Sequence, residues 1–200
     1  MEEIVTLPEH HKNTNMIILL ILVAVGALIF VLTYNSLIAK KNSVEDAFGG
    51  MDALLKKRYD LIPNIVAGAQ QYMNYEKDTL TRITELRAKA ISGTISPEEK
   101  TNLSNQITPL LKNILVTAEN YPDLKANSNF TVLQNTLKDL EDQISSSRIG
   151  YNSIVTSYNN GIEMFPSNFV AGLMGLQRKP VFEIPVEERK NVNVKELFNQ

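Results

Sequence analysis

The sequence predicts an all-α protein: an N-terminal transmembrane helix, then an antiparallel bundle of three long helices plus a short fourth helix. Three observations predict it. Residues 13–39 contain no charged side chain. Downstream, apolar residues recur in alternating steps of four and three, the seam of coiled-coil-like helices. Prolines and small polar residues interrupt that seam where helices would start and stop.

The apolar centre MIILLILVAVGALIFVL covers residues 16–32 and is extended by Thr33 and Tyr34. A spanning helix needs about 20 mostly apolar residues. The preceding tail MEEIVTLPEHHKNTN carries three Glu and one Lys, and the exit is Tyr34-Asn35-Ser36 rather than a small-x-small cleavage site. These features describe an uncleaved anchor, not a signal peptide. Lys12 precedes it, and Lys40 and Lys41 follow. That balance leans toward a cytoplasmic C-terminal domain in the cell membrane. His10 and His11 have no third ligand nearby and are read as tail residues rather than a metal site. Four segments follow: a tail at 1–15, the transmembrane helix at 16–34, the bundle at 35–176, and an extended or flexible tail at 177–200.

The first bundle seam runs Val44, Phe48, Met51, Leu55, Arg58, Ile62, Ile65, Ala69, Tyr72, Glu76, Leu80, Ile83, Leu86, Ala90. It is expected to continue out of the membrane helix, with a kink or short break at Pro63 and a weakness at Gly49-Gly50. Ser96, Pro97 and Glu99 start the second helix as cap, first-turn proline and capping-box acid. Its seam is Leu103, Ile107, Leu110, Ile114, Ala118, with Pro109 a second candidate kink. Caps at 127–129 start the third helix, whose seam runs from Phe130 through Leu137, Ile144, Arg148, Tyr151, Val155, Tyr158 and Ile162 to Phe165. Pro166 ends it, and residues 167–173 suit a short helix closed by Gly172 or Gly175. Tyr72, Met73 and Tyr75 read as bundle core.

Several seam positions are polar. Tyr151-Asn152 and Tyr158-Asn159 repeat at a spacing of seven, with Arg148 beside the first pair; Asn35 and Asn42 repeat that spacing near the membrane. Buried polar groups cost free energy unless they pair, and their best-attested use is to set helix register. In an antiparallel bundle Asn152 and Asn159 are expected to face Asn35 and Asn42, and Arg58 to find Glu141 or Asp142. A ligand pocket built from the same residues is the alternative.

Catalytic signals are sparse. There is no Cys, and both His precede residue 13. That removes thiol chemistry, disulfides and cysteine metal sites. No Gly-x-Ser-x-Gly, His-Glu-x-x-His or phosphate-binding glycine pattern occurs. Glu76 and Glu141 stand as single carboxylates without a defined partner in catalysis. The net charge of -2 gives no reason to expect nucleic acid. No cofactor and no metal are expected.

Four motifs then stand together: DALLKKRYDLIPN at 52–64, ENYPDLKA at 119–126, Arg148-x-x-Tyr151-Asn152, and Tyr158-Asn159-x-x-Ile162-x-x-Phe165-Pro166. With Tyr-Asn-x-Leu at 34–37 directly after the apolar helix, they resemble the LemA family in order, from Ile17 to about Phe182. The resemblance implies a bacterial single-pass membrane protein with a long-helix bundle and no established enzymatic activity. It also implies a magnetosome-associated branch, and members encoded beside a heat-shock-type membrane zinc metalloprotease. Arg58, Asp60, Pro63, Glu119, Tyr121, Pro122, Arg148, Tyr151, Asn152, Tyr158, Asn159 and Pro166 are signature positions without an assigned role.

The expected function is a non-enzymatic, membrane-anchored scaffold or adaptor with a protein partner or self-association. The alternative is an anchored sensor of a small ligand or lipid, and the remaining one is an enzyme. Candidate network residues are Asn35, Asn42, Arg58, Asp60, Glu141, Arg148, Tyr151, Asn152, Tyr158 and Asn159.

Overall fold

A computed structural model describes residues 9–73, 75–93 and 95–182, with side chains from residue 13. The two histidines' side chains and the tail beyond Phe182 lie outside the described residues. Among those described, six helices and no strand occur: α1 Glu9–Gln70, α2 Lys77–Ala90, α3 Pro97–Ala118, α4 Pro122–Lys125, α5 Ser128–Glu163 and α6 Ser167–Leu173. The chain divides into two compact units. An anchor unit holds the described residues up to Ser43 and residues 156–179. A bundle unit holds residues 44–155 and 180–182.

In the anchor unit, α1 begins as one helix long and apolar enough to cross a membrane, and none of its apolar window is buried in protein. The end of α5 packs against it. Lys40 donates to Ser157 at 2.8 Å. Gly161 lies at the crossing, where a Cβ would stand 2.9 Å from the Lys40 side chain and displace it. The short α6 occupies the expected 167–173 and is closed by Gly175 with φ 64°.

The bundle unit differs from expectation at one place. The first seam does not continue to Ala90 in one helix. The chain leaves α1 after Gln70 and reverses into α2, so the unit packs four longer helix segments, besides the one-turn α4, where three long helices were expected. The seam survives the reversal: Leu80, Ile83, Leu86 and Ala90 are all buried. Reversal lets those residues share a core with Met51, Leu55, Ile62 and Ile65, which a continued rod could not do. Lys100 on Asp52, with Arg58 on Ser104 and Thr108, sets α3 parallel to α1. Arg58 on Glu141 and Phe48 against Tyr151 set α5 antiparallel.

Helix α1 passes through Gly49, Gly50 and Pro63 without a break. Pro63 has no N–H, so the Tyr59 carbonyl one turn earlier loses its helical donor. Arg87 of α2 replaces it, donating Nε to that carbonyl at 2.8 Å. Pro109 likewise lies inside α3. Ser96 caps α3 through the Glu99 amide at 3.1 Å, and Asn127 caps α5 through the amides of Asn129 and Phe130. Three seam assignments shift. Leu111 rather than Leu110 is buried in α3. Tyr75 is exposed, while its neighbour Met73 is core. Phe165 is 87% exposed, because α5 ends at Glu163 and the helical register no longer aims the side chain inward.

Candidate functional site: a buried arginine cluster and two asparagine clamps

The bundle unit encloses a polar cluster at mid-length. Arg58 on α1 is 0% exposed. Its Nη1 donates to Thr108 Oγ1 at 2.9 Å and to Glu141 Oε1 at 3.0 Å, and its Nη2 to Ser104 Oγ at 2.7 Å. Arg148 on α5 donates to the same Ser104 oxygen, also at 2.7 Å. Both lone pairs of that hydroxyl are thereby engaged. One guanidinium ties α1 to α3 and α5, and a second ties α5 to α3. The cluster thus fixes α1, α3 and α5 against one another.

Tyr59 lies next in line. Its hydroxyl is buried beside the Arg58 guanidinium and makes no hydrogen bond of ordinary geometry. Burial raises its pKa above the ordinary phenol value, with the Arg58 charge and its N–H groups pulling the other way. Glu76 accepts the Tyr121 hydroxyl at 3.0 Å. The Tyr121 phenol is raised by burial first and by that donated hydrogen bond second. Both residues thus join α4's entry to the turn before α2.

The Tyr-Asn pairs do something the sequence reading did not foresee. In the bundle unit, Asn152 grips the backbone of one residue by both its groups: Phe182 N–H donates to Oδ1 at 2.7 Å, and Nδ2 donates to the Phe182 carbonyl at 2.9 Å. The carboxamide thus imitates the neighbouring strand of a sheet. The Phe182 ring is 6% exposed, edge-on to Tyr151 with centroids 5.1 Å apart, and the Arg148 guanidinium stands 5.9 Å from it. Burial raises the Tyr151 phenol, and the Glu98 charge adds to that. In the anchor unit, Asn159 grips Lys179 in the same two-bond way, at 2.9 and 2.8 Å, and the Tyr158 hydroxyl donates to the Gln177 carbonyl at 3.0 Å.

The expected network therefore separates. Arg58, Glu141 and Arg148 come together. Tyr151, Asn152, Tyr158 and Asn159 hold the segment 177–182. Asn35 and Asn42 are exposed and take no part in either clamp. The expected facing of asparagines across two helices gives way because an extended backbone offers each carboxamide a matched donor and acceptor. Asp60 lies off the seam, two positions from both Arg58 and Ile62, and pairs with Lys56 at 2.7 Å on the surface. Ser104 and Phe182 were missed. Ser104 was findable, since 104, 107, 111, 114 and 118 keep the four-and-three spacing and Ser104 is its one hydroxyl. Nothing local marked Phe182 as an anchor.

The LemA family model matches residues 47–195, about three-quarters of the chain. The chain belongs to the LemA family. Over 184 residues it is 29% identical to Protein LemA of Metamycoplasma hominis, covering 91% of this chain and 84% of that protein. It is also 27% identical over 73 residues to magnetosome protein MamQ 1 of Paramagnetospirillum magneticum, covering 36% of this chain and 27% of that protein. With magnetosome protein MamQ of Magnetospirillum gryphiswaldense it shares 27% identity over 82 residues, 38% of this chain and 30% of that one. In this LemA-family chain Arg58 and Arg148 pin helices, and Asn152 and Asn159 grip backbone.

Proposed function

We propose that this LemA-family chain is a non-enzymatic scaffold or adaptor, anchored by α1, whose bundle presents a surface to another membrane protein or to further copies of itself. The observation that carries this is the use of the interior charge. Arg58 is committed to Glu141, Ser104 and Thr108, which pins three helices and leaves the cluster occupied with structure. The working surface is then the outside of the bundle. Between α3 and α5 lies a groove of about 500 Å³ whose walls include Leu111, Leu115, Leu137 and Ile144, with Lys112 and Lys138 at its sides. We place the bundle in the cytoplasm, on the lysines after the anchor, and its process in membrane-protein or envelope quality control, on the family resemblance.

A photo-crosslinking residue at Lys112 or Lys138, in the full chain and in its native membrane, tests the reading. A discrete crosslinked membrane protein or dimer is expected; only diffuse background from both sites would overturn it. A cysteine at Asn193, probed in intact cells with an impermeant thiol reagent, tests the side. Protection until lysis is expected, and labelling of intact cells would move the bundle outside the cytoplasm. The second reading, a sensor of a small ligand or lipid, is favoured by the same groove. It requires a thermal shift with a membrane-lipid or metabolite fraction, and that shift should vanish on Leu115→Asp, at a half-buried groove position.

A further inference from the structure

We propose that the anchor unit touches the bilayer a second time, through an apolar patch formed by Met164, Phe165, Phe169 and Leu173, which lies at the lipid–water boundary beside the exit of α1. The inference rests on α1 being a membrane anchor.

The four side chains are 62%, 87%, 74% and 68% exposed. Such exposure of large apolar groups, close together in sequence, marks a surface made for another apolar phase. Their spacing explains why they coincide. Positions 169 and 173 are four apart and share one face of α6, while Val170 and Ala171 on the other face are buried in the unit; Met164 and Phe165 lie in the turn that leads into it. The segment is therefore held by one side and shows phenylalanine and leucine on the other.

Its level relative to the anchor follows from contacts inside the unit. Ser157 meets Lys40, and Gly161 closes on Lys40 and Leu37, so α5 runs antiparallel along α1. Two residues on from Gly161, about 3 Å along the axis, α5 ends at Glu163 and the chain turns through Met164 and Phe165. The same step along α1 leads from Leu37 to Asn35, next to Tyr34 where the apolar run ends. The turn thus starts level with the boundary between the apolar stretch and the first polar residues. On the exit side of the span, the unit carries Lys40, Lys41, Arg178 and Lys179 against the single acid Glu163, a balance suited to phosphate headgroups. Shallow insertion of an apolar face beside cations is the arrangement of interfacial helices. The chain has no Trp, and the phenylalanines take the place that indoles commonly hold.

The absence of Trp makes the test clean. Full-length protein carrying Phe169→Trp is reconstituted in vesicles of phosphatidylcholine and phosphatidylglycerol, with and without lipids brominated near the glycerol end of their chains. A parallel sample carries Leu28→Trp, in the middle of the apolar run, with bromines near the chain ends. Blue-shifted emission and loss of most of the intensity to shallow bromines are expected for Phe169→Trp. If Leu28→Trp is quenched while Phe169→Trp emits like an indole in water, the patch proposal fails and the anchor stands. Blue-shifted but unquenched emission from Phe169→Trp would mean that protein, a second copy included, covers the patch, and would also overturn it. Failure to quench Leu28→Trp would overturn the anchor and the proposal with it.

Discussion

From Met16 to Leu32, helix α1 shows its large apolar side chains on every face, and all of them are exposed. From Val44 to Ala69 the same helix hides Val44, Met51, Leu55, Ile62 and Ile65 and keeps the faces between them polar. One backbone conformation thus serves two solvents. In the first half the apolar phase lies all around, and no side chain needs a preferred direction. In the second half the apolar phase is the protein's own interior, and direction decides everything. The two halves differ in what they do with a charge: the first contains none, and the second buries Arg58 completely.

The largest effect should come from stranding that charge. Glu141→Ala leaves Arg58 inside without its carboxylate and should cost about 3 to 5 kcal/mol, with the lower end expected because Glu141 is partly exposed. For a chain of this size that corresponds to a fall in melting temperature of roughly 6 to 20 °C. Replacing both partners, Arg58→Met with Glu141→Leu, should recover most of it. An unchanged melt for Glu141→Ala would remove the distinction between the two halves.

Next comes the reciprocal experiment. Val23→Arg places a charge in the half that has nowhere to pair it, at about 2.5 to 3.5 kcal/mol of insertion free energy. The expected outcome is a shift of the protein into the fraction released by alkaline extraction of membranes. Full retention would argue that α1 reaches protein rather than lipid at that depth.

A smaller effect should follow Asn152→Ala. It removes two hydrogen bonds to Phe182 and should cost about 1 to 2 kcal/mol. Hydrogen exchange at the Phe182 amide should quicken by about tenfold, with the Arg58 region unaffected. Unaltered exchange would show that the Phe182 ring alone holds the segment.

The smallest is Tyr59→Phe. Removing a buried hydroxyl that makes no hydrogen bond of ordinary geometry should change stability at neutral pH by less than about 1 kcal/mol. The sign of the pH dependence is set by the raised pKa. The unfolded chain ionises this phenol near 10, the folded chain only above that, so stability is constant below about pH 10 and falls as the pH rises further. Alkaline denaturation curves should be flatter for the variant, with a remainder from Tyr121 and Tyr151, which are raised as well. A steeper curve would contradict the buried, neutral state of Tyr59.

Much of the fold was legible because burial has a period. Of the fourteen positions in the first seam, ten are buried hydrophobics and an eleventh is the buried Arg58. The caps at Ser96 and Asn127 and the span of α6 were equally readable, since they depend on neighbours within a few residues. The reversal after Gln70 was not readable. A seam looks the same whether its residues lie on one rod or on two helices folded face to face. The arginine was legible as a polar interruption, and its carboxylate could be narrowed to Glu141 or Asp142. The clamps were visible as Tyr-Asn repeats, but their targets were not, because an asparagine pairs equally well with another side chain or with a backbone.

By itself the sequence determined which segments are helical, which stretch is apolar enough for a membrane, and which positions must find partners. Those are consequences of local propensity and of the side chain's preference for water or oil, which belong to each residue wherever it sits. The tertiary structure alone decided where α1 reverses, that Arg87 repairs the carbonyl left open by Pro63, and that Asn152 and Asn159 grip residues 182 and 179. Each joins residues 20 or more positions apart in the chain, and such pairings are chosen by which surfaces pack together with most buried donors and acceptors satisfied.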